Sequence, residues 1–188
     1  MIDKRESLTQ DILKELLHYD PETGIFTWKY RDIKWFKRKG NQAGWNNRFA
    51  GNQAGTVHIG RNKKPYREIG IGNILFKGHR LAVLYMTGKF PLEEVDHEDG
   101  DGLNNKWSNL REVSHLENSK NKRLQSNNSS GYSGVSYAKD KNKYLVKMGN
   151  EHLGYFLTLE EAVFVRKEAE IKYNYHPNHG KERQYEIK

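Results

Sequence analysis

Residues 95 to 118 read Val95-Asp96-His97-Glu98-Asp99-Gly100-Asp101-Gly102-Leu103-Asn104-Asn105-Lys106-Trp107-Ser108-Asn109-Leu110-Arg111-Glu112-Val113-Ser114-His115-Leu116-Glu117-Asn118. The Gly- and Asn-rich run 100–105 is a turn signal, and Ser114 is placed to cap a helix. The spacing predicts a strand carrying Asp96 and His97, a loop returning the chain to Asn109, and a helix carrying Asn118. Adjacent residues of a strand point to opposite faces. Asp96 and His97 can serve one reacting group only if the strand twists or bulges there.

These side chains suit phosphodiester hydrolysis. That reaction needs a nucleophile made from water, neutralisation of the non-bridging charge and stabilisation of the departing oxygen, and one divalent ion can supply the last two. Mg²⁺, with Mn²⁺ as the alternative, takes one or two protein oxygens and keeps waters. Asp96 and the amide oxygen of Asn118 fit that donor set. A neutral His97 fits the base, and Asn109 is the candidate to orient its imidazole. Glu98, Asp99 and Asp101 read as solvated loop acids. The run lacks the spaced acids and terminal Glu of an EF-hand loop, and His115 falls off the spacing that singles out Asn118.

With 35% hydrophobic residues and a mean hydropathy of -0.97, the 188-residue chain is expected to form small modules rather than one deep core. It has no cysteine, which excludes disulfides and Cys-based zinc sites. No stretch is long and apolar enough for a bilayer, and Met1–Glu6 lacks the apolar core of a signal peptide. The expectation is a soluble, cytoplasmic protein without a membrane partner. Residues 1–90 hold 17 Lys/Arg against 8 Asp/Glu, residues 91–128 hold 5 against 8, and residues 129–188 hold 10 against 8. An acidic centre after a basic flank suits a cation-binding site facing a polyanion.

Residues 7–17 predict an amphipathic helix behind a capping box at Ser7. Tyr19 to Gly24 is a turn, and Ile25 to Tyr30 a strand. Residues 31–52 read as an irregular basic and aromatic surface, with Lys37, Arg38, Lys39 and Arg48 as candidate DNA contacts. The words Gly40-Asn41-Gln42-Ala43-Gly44 and Gly51-Asn52-Gln53-Ala54-Gly55 are identical, which suggests two similar turns. Short strands follow at 56–59, 66–71 and 74–77, then a helix from His79 to Met86. The helix after Ser114 is expected to reach about Arg123. Past a polar linker, strands begin at Ser130, Lys143 and His152, and Thr158-Leu159-Glu160-Glu161 caps a helix to about Tyr173. The tail from Asn174, with His176 and His179, reads as a loose solvated segment.

The segment from about His79 to Arg123 resembles the HNH endonuclease motif of phage and intron-encoded homing endonucleases, through Asp96-His97, Asn104-Asn105, Asn109-Leu110-Arg111 and Asn118. The resemblance implies a ββα-metal core with His97 as general base, Asp96 and Asn118 as metal ligands, and Asn109 orienting His97. Residues 129–174 are similar to the Apetala-two type DNA-binding domain, through Ser130-Gly131-Tyr132-Ser133-Gly134-Val135, Leu153-Gly154-Tyr155-Phe156 and Thr158-Leu159-Glu160-Glu161-Ala162. That similarity implies a three-stranded sheet on one helix, with Lys139, Lys141, Lys143, Tyr144 and Lys147 on double-stranded DNA. Lysines on phosphates position without specifying.

The expectation is thus an α+β chain with an N-terminal mixed α/β DNA-contacting region (1–78), a nuclease module (79–124), a linker (125–131), a sheet-plus-helix DNA-binding domain (132–174) and a tail (175–188). The implied activity is metal-dependent hydrolysis of DNA, nicking as a monomer. The alternative is a non-catalytic DNA-binding protein on a degenerate HNH scaffold.

Overall fold

A computed structural model describes residues 8–60, 64–122, 124–125 and 127–181. It is an α+β architecture of small antiparallel sheets and short helices, divided into two compact units after Val113. Among the described residues no helix is long and apolar enough to cross a membrane.

The first unit opens with α1 (Gln10–Leu16), capped by the Thr9 hydroxyl, which accepts from the Ile12 N–H. Thr9 rather than Ser7 begins the helix among the described residues; Ser7 lies outside them. Leu17, expected to end the helix, instead starts β1 (Leu17–Asp20), which pairs with β2 (Ile25–Trp28) as a hairpin. The Asp20 carboxylate accepts from the Glu22 N–H and the Thr23 hydroxyl, and Gly24 takes φ +73° to close the turn.

Residues 39–49 form a helix, α2 (Lys39–Phe49), where an irregular surface was expected. No apolar 3.6-residue period marks it. Tertiary contacts hold it: the Asn46 amide bonds both the N–H and the C=O of Arg31, and Trp45 packs edge-on against Trp28. The two identical Gly-Asn-Gln-Ala-Gly words therefore adopt different structures. The first lies inside α2, while the second runs as turn and extended chain between Gly51 at φ +82° and Gly55 at φ +80°, with Ala54 buried.

Strands β3 (Thr56–Ile59), β4 (Pro65–Ile71) and β5 (Ile74–Lys77) form a sheet in that order, close to the expected bounds. Helix α3 (Gly78–Thr87) ends on Gly88 in the left-handed region. Leu13, Leu16, Leu17, Tyr19, Phe26, Ile69, Phe76, Leu81 and Leu84 make one shared core. The unit closes with β6 (Glu94–His97) paired antiparallel to β7 (Leu110–Val113).

The second unit begins with α4 (His115–Ser119), held by a Ser114/Glu117 capping box and shorter than expected. Strands β8 (Val135–Ala138), β9 (Lys143–Met148) and β10 (Glu151–Phe156) form a sheet in the order β10-β9-β8. Helix α5 (Leu159–Lys172) starts at the expected Thr158/Glu161 box. The core beneath α5 is small: Val135, Val146 and Ala162, flanked by Tyr144, Leu153, Phe156 and Leu159.

Arg166 compensates for so small a core. Only 4% exposed, it donates to Lys147 O at 2.7 Å and pairs with Glu170 at 2.9 Å. Arg166→Ala removes the donor to a part-buried carbonyl and leaves Glu170 without its partner, a cost of about 1–3 kcal/mol. The expected result is a lower melting transition of this unit, followed by circular dichroism, with Glu170→Gln milder because Glu170 is the more exposed partner. The described part of the tail, through Lys181, is tied down. The His176 and Gly180 N–H groups donate to Lys120 and Lys122, the Leu124 N–H donates to Lys181, and the His179 ring contacts Ser133 and Arg166.

Candidate active site

Strand register sets the site. Asp96 lies opposite Arg111 and His97 opposite Leu110, with no bulge in the pairing. The two side chains therefore leave opposite faces, and both are buried, Asp96 at 3% and His97 at 1% exposure.

On one face, Asp96 accepts a charged hydrogen bond from Arg111 Nη2 at 2.9 Å. Arg111 is 32% exposed, so the pair combines a desolvated carboxylate with a partly solvated cation. The guanidinium offsets the cost of burying the carboxylate. An ionised carboxylate has about four acceptor positions, so accepting from Arg111 is compatible with binding a cation. Among the described residues no three His, Cys, Asp or Glu side chains gather as a metal-holding group. A hard cation on one carboxylate, one amide oxygen and waters does not need such a group.

On the other face, His97 Nε2 lies 3.1 Å from Asn105 Oδ1, with both side chains buried. An amide oxygen only accepts, so the ring proton belongs on Nε2 and the lone pair on Nδ1. Burial pushes the His97 imidazole below its ordinary range, and the bond to Asn105 pulls partly back. The ring is thus neutral at pH 7, in the tautomer a general base requires.

Asn105, not Asn109, is the residue that holds this ring. Asn109 organises the loop instead: Nδ2 donates to Asp99 Oδ1 and Asn104 O, and Oδ1 accepts from the Asp99 N–H. Asp99 also accepts from the Asn104 amide and the Asp101 N–H, and Asp101 from the Leu103 N–H. These two acids are also loop-forming acceptors, Asp99 exposed as expected and Asp101 half-buried. No bulge interrupts the pairing at Asp96-His97, so bringing the two side chains to one reacting group falls to the twist of the strand pair.

The Asn105 peptide is braced from the far N-terminal side. The Tyr19 hydroxyl donates to Asn105 O at 2.7 Å, and the Trp107 N–H donates to Pro21 O at 3.0 Å. Burial raises the Tyr19 phenol pKa, so it remains a donor. The pair Asn104-Asn105 was visible in the sequence, but nothing local marks Tyr19, 86 positions away.

His79 is the second imidazole here. It meets His97 edge-to-face with centroids 5.0 Å apart, and Tyr66 packs against both. Burial, then His97 and the cations Lys77, Lys64 and Arg80, lower its pKa well below the usual histidine value. A buried neutral histidine makes folding acid-sensitive. Stability is full above the unfolded-state value of about 6.5 and falls by up to about 1.4 kcal/mol per pH unit below it. Urea midpoints at pH 7.5 and 5.0 should diverge for the parent and lie closer together for His79→Phe.

Asn118 lies half-buried on α4 in the second unit, and His115 beside it is exposed. Lys37, Arg38, Lys39 and Arg48 are exposed on or just before α2. Lys139 and Lys141 sit exposed in the β8–β9 turn, with Lys141 against the Tyr155 ring. Strand alternation puts Lys143 and Lys147 on the sheet face away from α5. Tyr144 belongs to the other face, packed on the core and 5.1 Å from the Tyr137 ring, so it is not a contact residue of the lysine face.

Residues 77–120 match the family model described as HNH endonuclease. No curated protein matches the chain. Among solved structures, the chain is similar to the HNH homing endonuclease I-HmuI, in a structure concerning its DNA binding and cleavage, at 23% identity over 56% of this chain, with a TM-score of 0.35. The match spans 50% of the I-HmuI chain.

Proposed function

We propose that the protein is a metal-dependent DNA endonuclease of the homing type, hydrolysing phosphodiesters to 5′-phosphate and 3′-hydroxyl ends. The observation that carries this reading is the buried neutral His97, its Nε2 engaged by Asn105, on the strand residue next to a buried Asp96 paired with Arg111. The match of residues 77–120 to the HNH endonuclease family supports it.

In this reading a water admitted when DNA binds reaches His97 Nδ1, which is buried in the free protein, and gives it a proton as the water oxygen forms its bond to phosphorus. The P–O3′ bond breaks on the opposite side, and the 3′ oxygen leaves to be protonated from solvent. Asp96 and, by its sequence spacing, Asn118 would hold the divalent ion, Mg²⁺ or Mn²⁺. When bound, that ion would neutralise the scissile phosphate and stabilise the departing oxygen. Arg111 holds the Asp96 carboxylate in place through their 2.9 Å ion pair. Asn105 fixes the imidazole tautomer, acting as a positioning residue that does not touch substrate.

Asn105→Ala is expected to lower kcat with little change in KM, since the lost bond orients the base and binds no DNA. A gap of about 10–100-fold from the parent is the scale of such outer-sphere support. Asn105→Gln, which keeps the amide oxygen, should recover part of it. Equal loss in kcat and KM would remove the assigned role.

The sheet face of Lys143 and Lys147, with Lys139 and Lys141 at its turn, is proposed to grip duplex DNA in the manner of an Apetala-two type domain. One site per chain makes single-strand nicking the expected product. The test is supercoiled plasmid carrying the protein's own locus, incubated with Mg²⁺. Conversion to nicked circles, with RNA duplex of the same sequence uncut, supports the reading. Cleavage of RNA in preference to DNA removes it.

A further inference from the structure

Helix α2 lies in an unusual run of charge. From Ile33 to Arg67 the sequence contains nine Lys or Arg and no Asp or Glu. Helices that are merely solvated carry both signs, often as pairs four residues apart. No carboxylate within α2 or its flanks can form such a pair.

One face of α2 is anchored. The Asn46 side chain is buried on the Arg31 backbone, Gln42 donates to Arg31 O at 3.1 Å, and Trp45 lies under the Arg31 guanidinium at 3.8 Å. The opposite face is open. At about 100° per residue, Gly40, Gly44 and Asn47 run along its centre, with Lys39 and Ala43 on one side and Asn41 and Arg48 on the other. All seven are exposed.

A side chain at Gly40 or Gly44 would meet nothing within 4 Å. Packing inside the molecule therefore gives no reason for two residues that weaken a helix. The amino end adds a second cost. Lys37, Arg38 and Lys39 crowd it, with no acidic residue in the first turn and no side-chain cap, against the helix dipole. Contact with an anion relieves that repulsion.

We propose that this face of α2 lies in the major groove of duplex DNA, with Asn41, Asn47 and Arg48 on base edges and Lys37, Arg38 and Lys39 on phosphates. The groove admits an α-helix, asparagine pairs bidentately with adenine, and arginine with guanine. Lysines on phosphates fix register. The glycines let the helix backbone approach the bases closely. The lysine face of the second unit carries Ser136, His152 and Tyr155 but no Asn, Gln or Arg, so the bidentate readers of α2 are assigned the larger share of the sequence preference. The inference rests on the DNA-endonuclease reading and gives that reading a recognition element.

The test uses the full chain carrying His97→Gln, so that DNA is not consumed, in rounds of selection from a randomised duplex library. The parent is expected to enrich one site. Asn41→Ala/Asn47→Ala should lose preference at a block of adjacent base pairs and bind the parent's site at least about 10-fold more weakly. Lys37→Ala/Arg38→Ala/Lys39→Ala should weaken binding to all sequences alike and flatten the salt dependence by about 0.9 per lost contact. Gly44→Gln should raise the melting temperature, since a non-glycine residue favours the helix, yet weaken binding to the selected site; this separates loss of fold from loss of contact. If the parent selects a site and the asparagine variant selects the same site equally well, the inference about α2 is wrong and the endonuclease reading stands. If the parent binds acidic polypeptide but no duplex DNA, both are wrong.

Discussion

His97→Gln is expected to abolish strand cleavage, by about 10²–10⁴-fold, the scale of a general base, and to leave affinity for duplex DNA unchanged. His97 is buried and its Nε2 faces Asn105 Oδ1 at 3.1 Å. A glutamine amide can still donate to that oxygen but cannot accept a proton from water at neutral pH. His97→Ala should be equally inactive and less stable as well, because a buried amide oxygen loses its donor at a cost of about 1–3 kcal/mol. Single-turnover cleavage beside a thermal melt separates the two effects. A glutamine variant that still cuts at the parental rate would remove His97 from the chemistry.

Gly24→Ala is expected to cost about 2–5 kcal/mol, combining the left-handed backbone with overpacking, and to depress cleavage from a position that supplies no side chain to the site. Gly24 sits at φ +73°, and a Cβ there would lie 2.3 Å from the Asn105 carbonyl carbon and 2.4 Å from the Lys106 nitrogen. Both obstacles are backbone, so neither can rotate away. Relief requires the β1–β2 hairpin to withdraw from residues 104–107. That withdrawal removes the Tyr19–Asn105 and Trp107–Pro21 hydrogen bonds and frees the amide that holds His97. Gly72→Ala is the control: its φ is +61°, but nothing lies within 4 Å, so it should cost only the backbone term, about 1–2 kcal/mol. Equal urea midpoints for the two variants would contradict the brace.

Local chemistry made much of the fold legible. The Thr158/Glu161 and Ser114/Glu117 boxes announce α5 and α4 through hydrogen bonds confined to four residues, and Gly88 announces the end of α3. Strand positions for Asp96 and His97, and a loop returning the chain to Asn109, followed from spacing and turn residues; the paired strand begins one residue later, at Leu110. What escaped was held by distant partners. α2 has no apolar period and owes its shape to Arg31 and Trp28, so two identical five-residue words diverged. The role given to Asn109 belongs to Asn105 because the loop closes on Asp99, leaving Asn109 engaged there. Tyr144 was misassigned by reading its lysine neighbours without the strand's two-residue period. The tail looked loose because its hydrogen bonds go to the backbone of residues 120–124, which leaves no mark in side-chain composition.

The most direct measurement of the central claim is cleavage of duplex DNA spanning the protein's own locus by the intact chain, in Mg²⁺, in Mn²⁺ and in EDTA, with the ends mapped on both strands. Discrete nicks bearing 5′-phosphate and 3′-hydroxyl ends are expected with either ion, vanishing in EDTA and absent for Asp96→Asn. Tight binding to that DNA with both strands intact under every ionic condition would contradict it, and would leave the protein a DNA-binding chain on a nuclease-like scaffold.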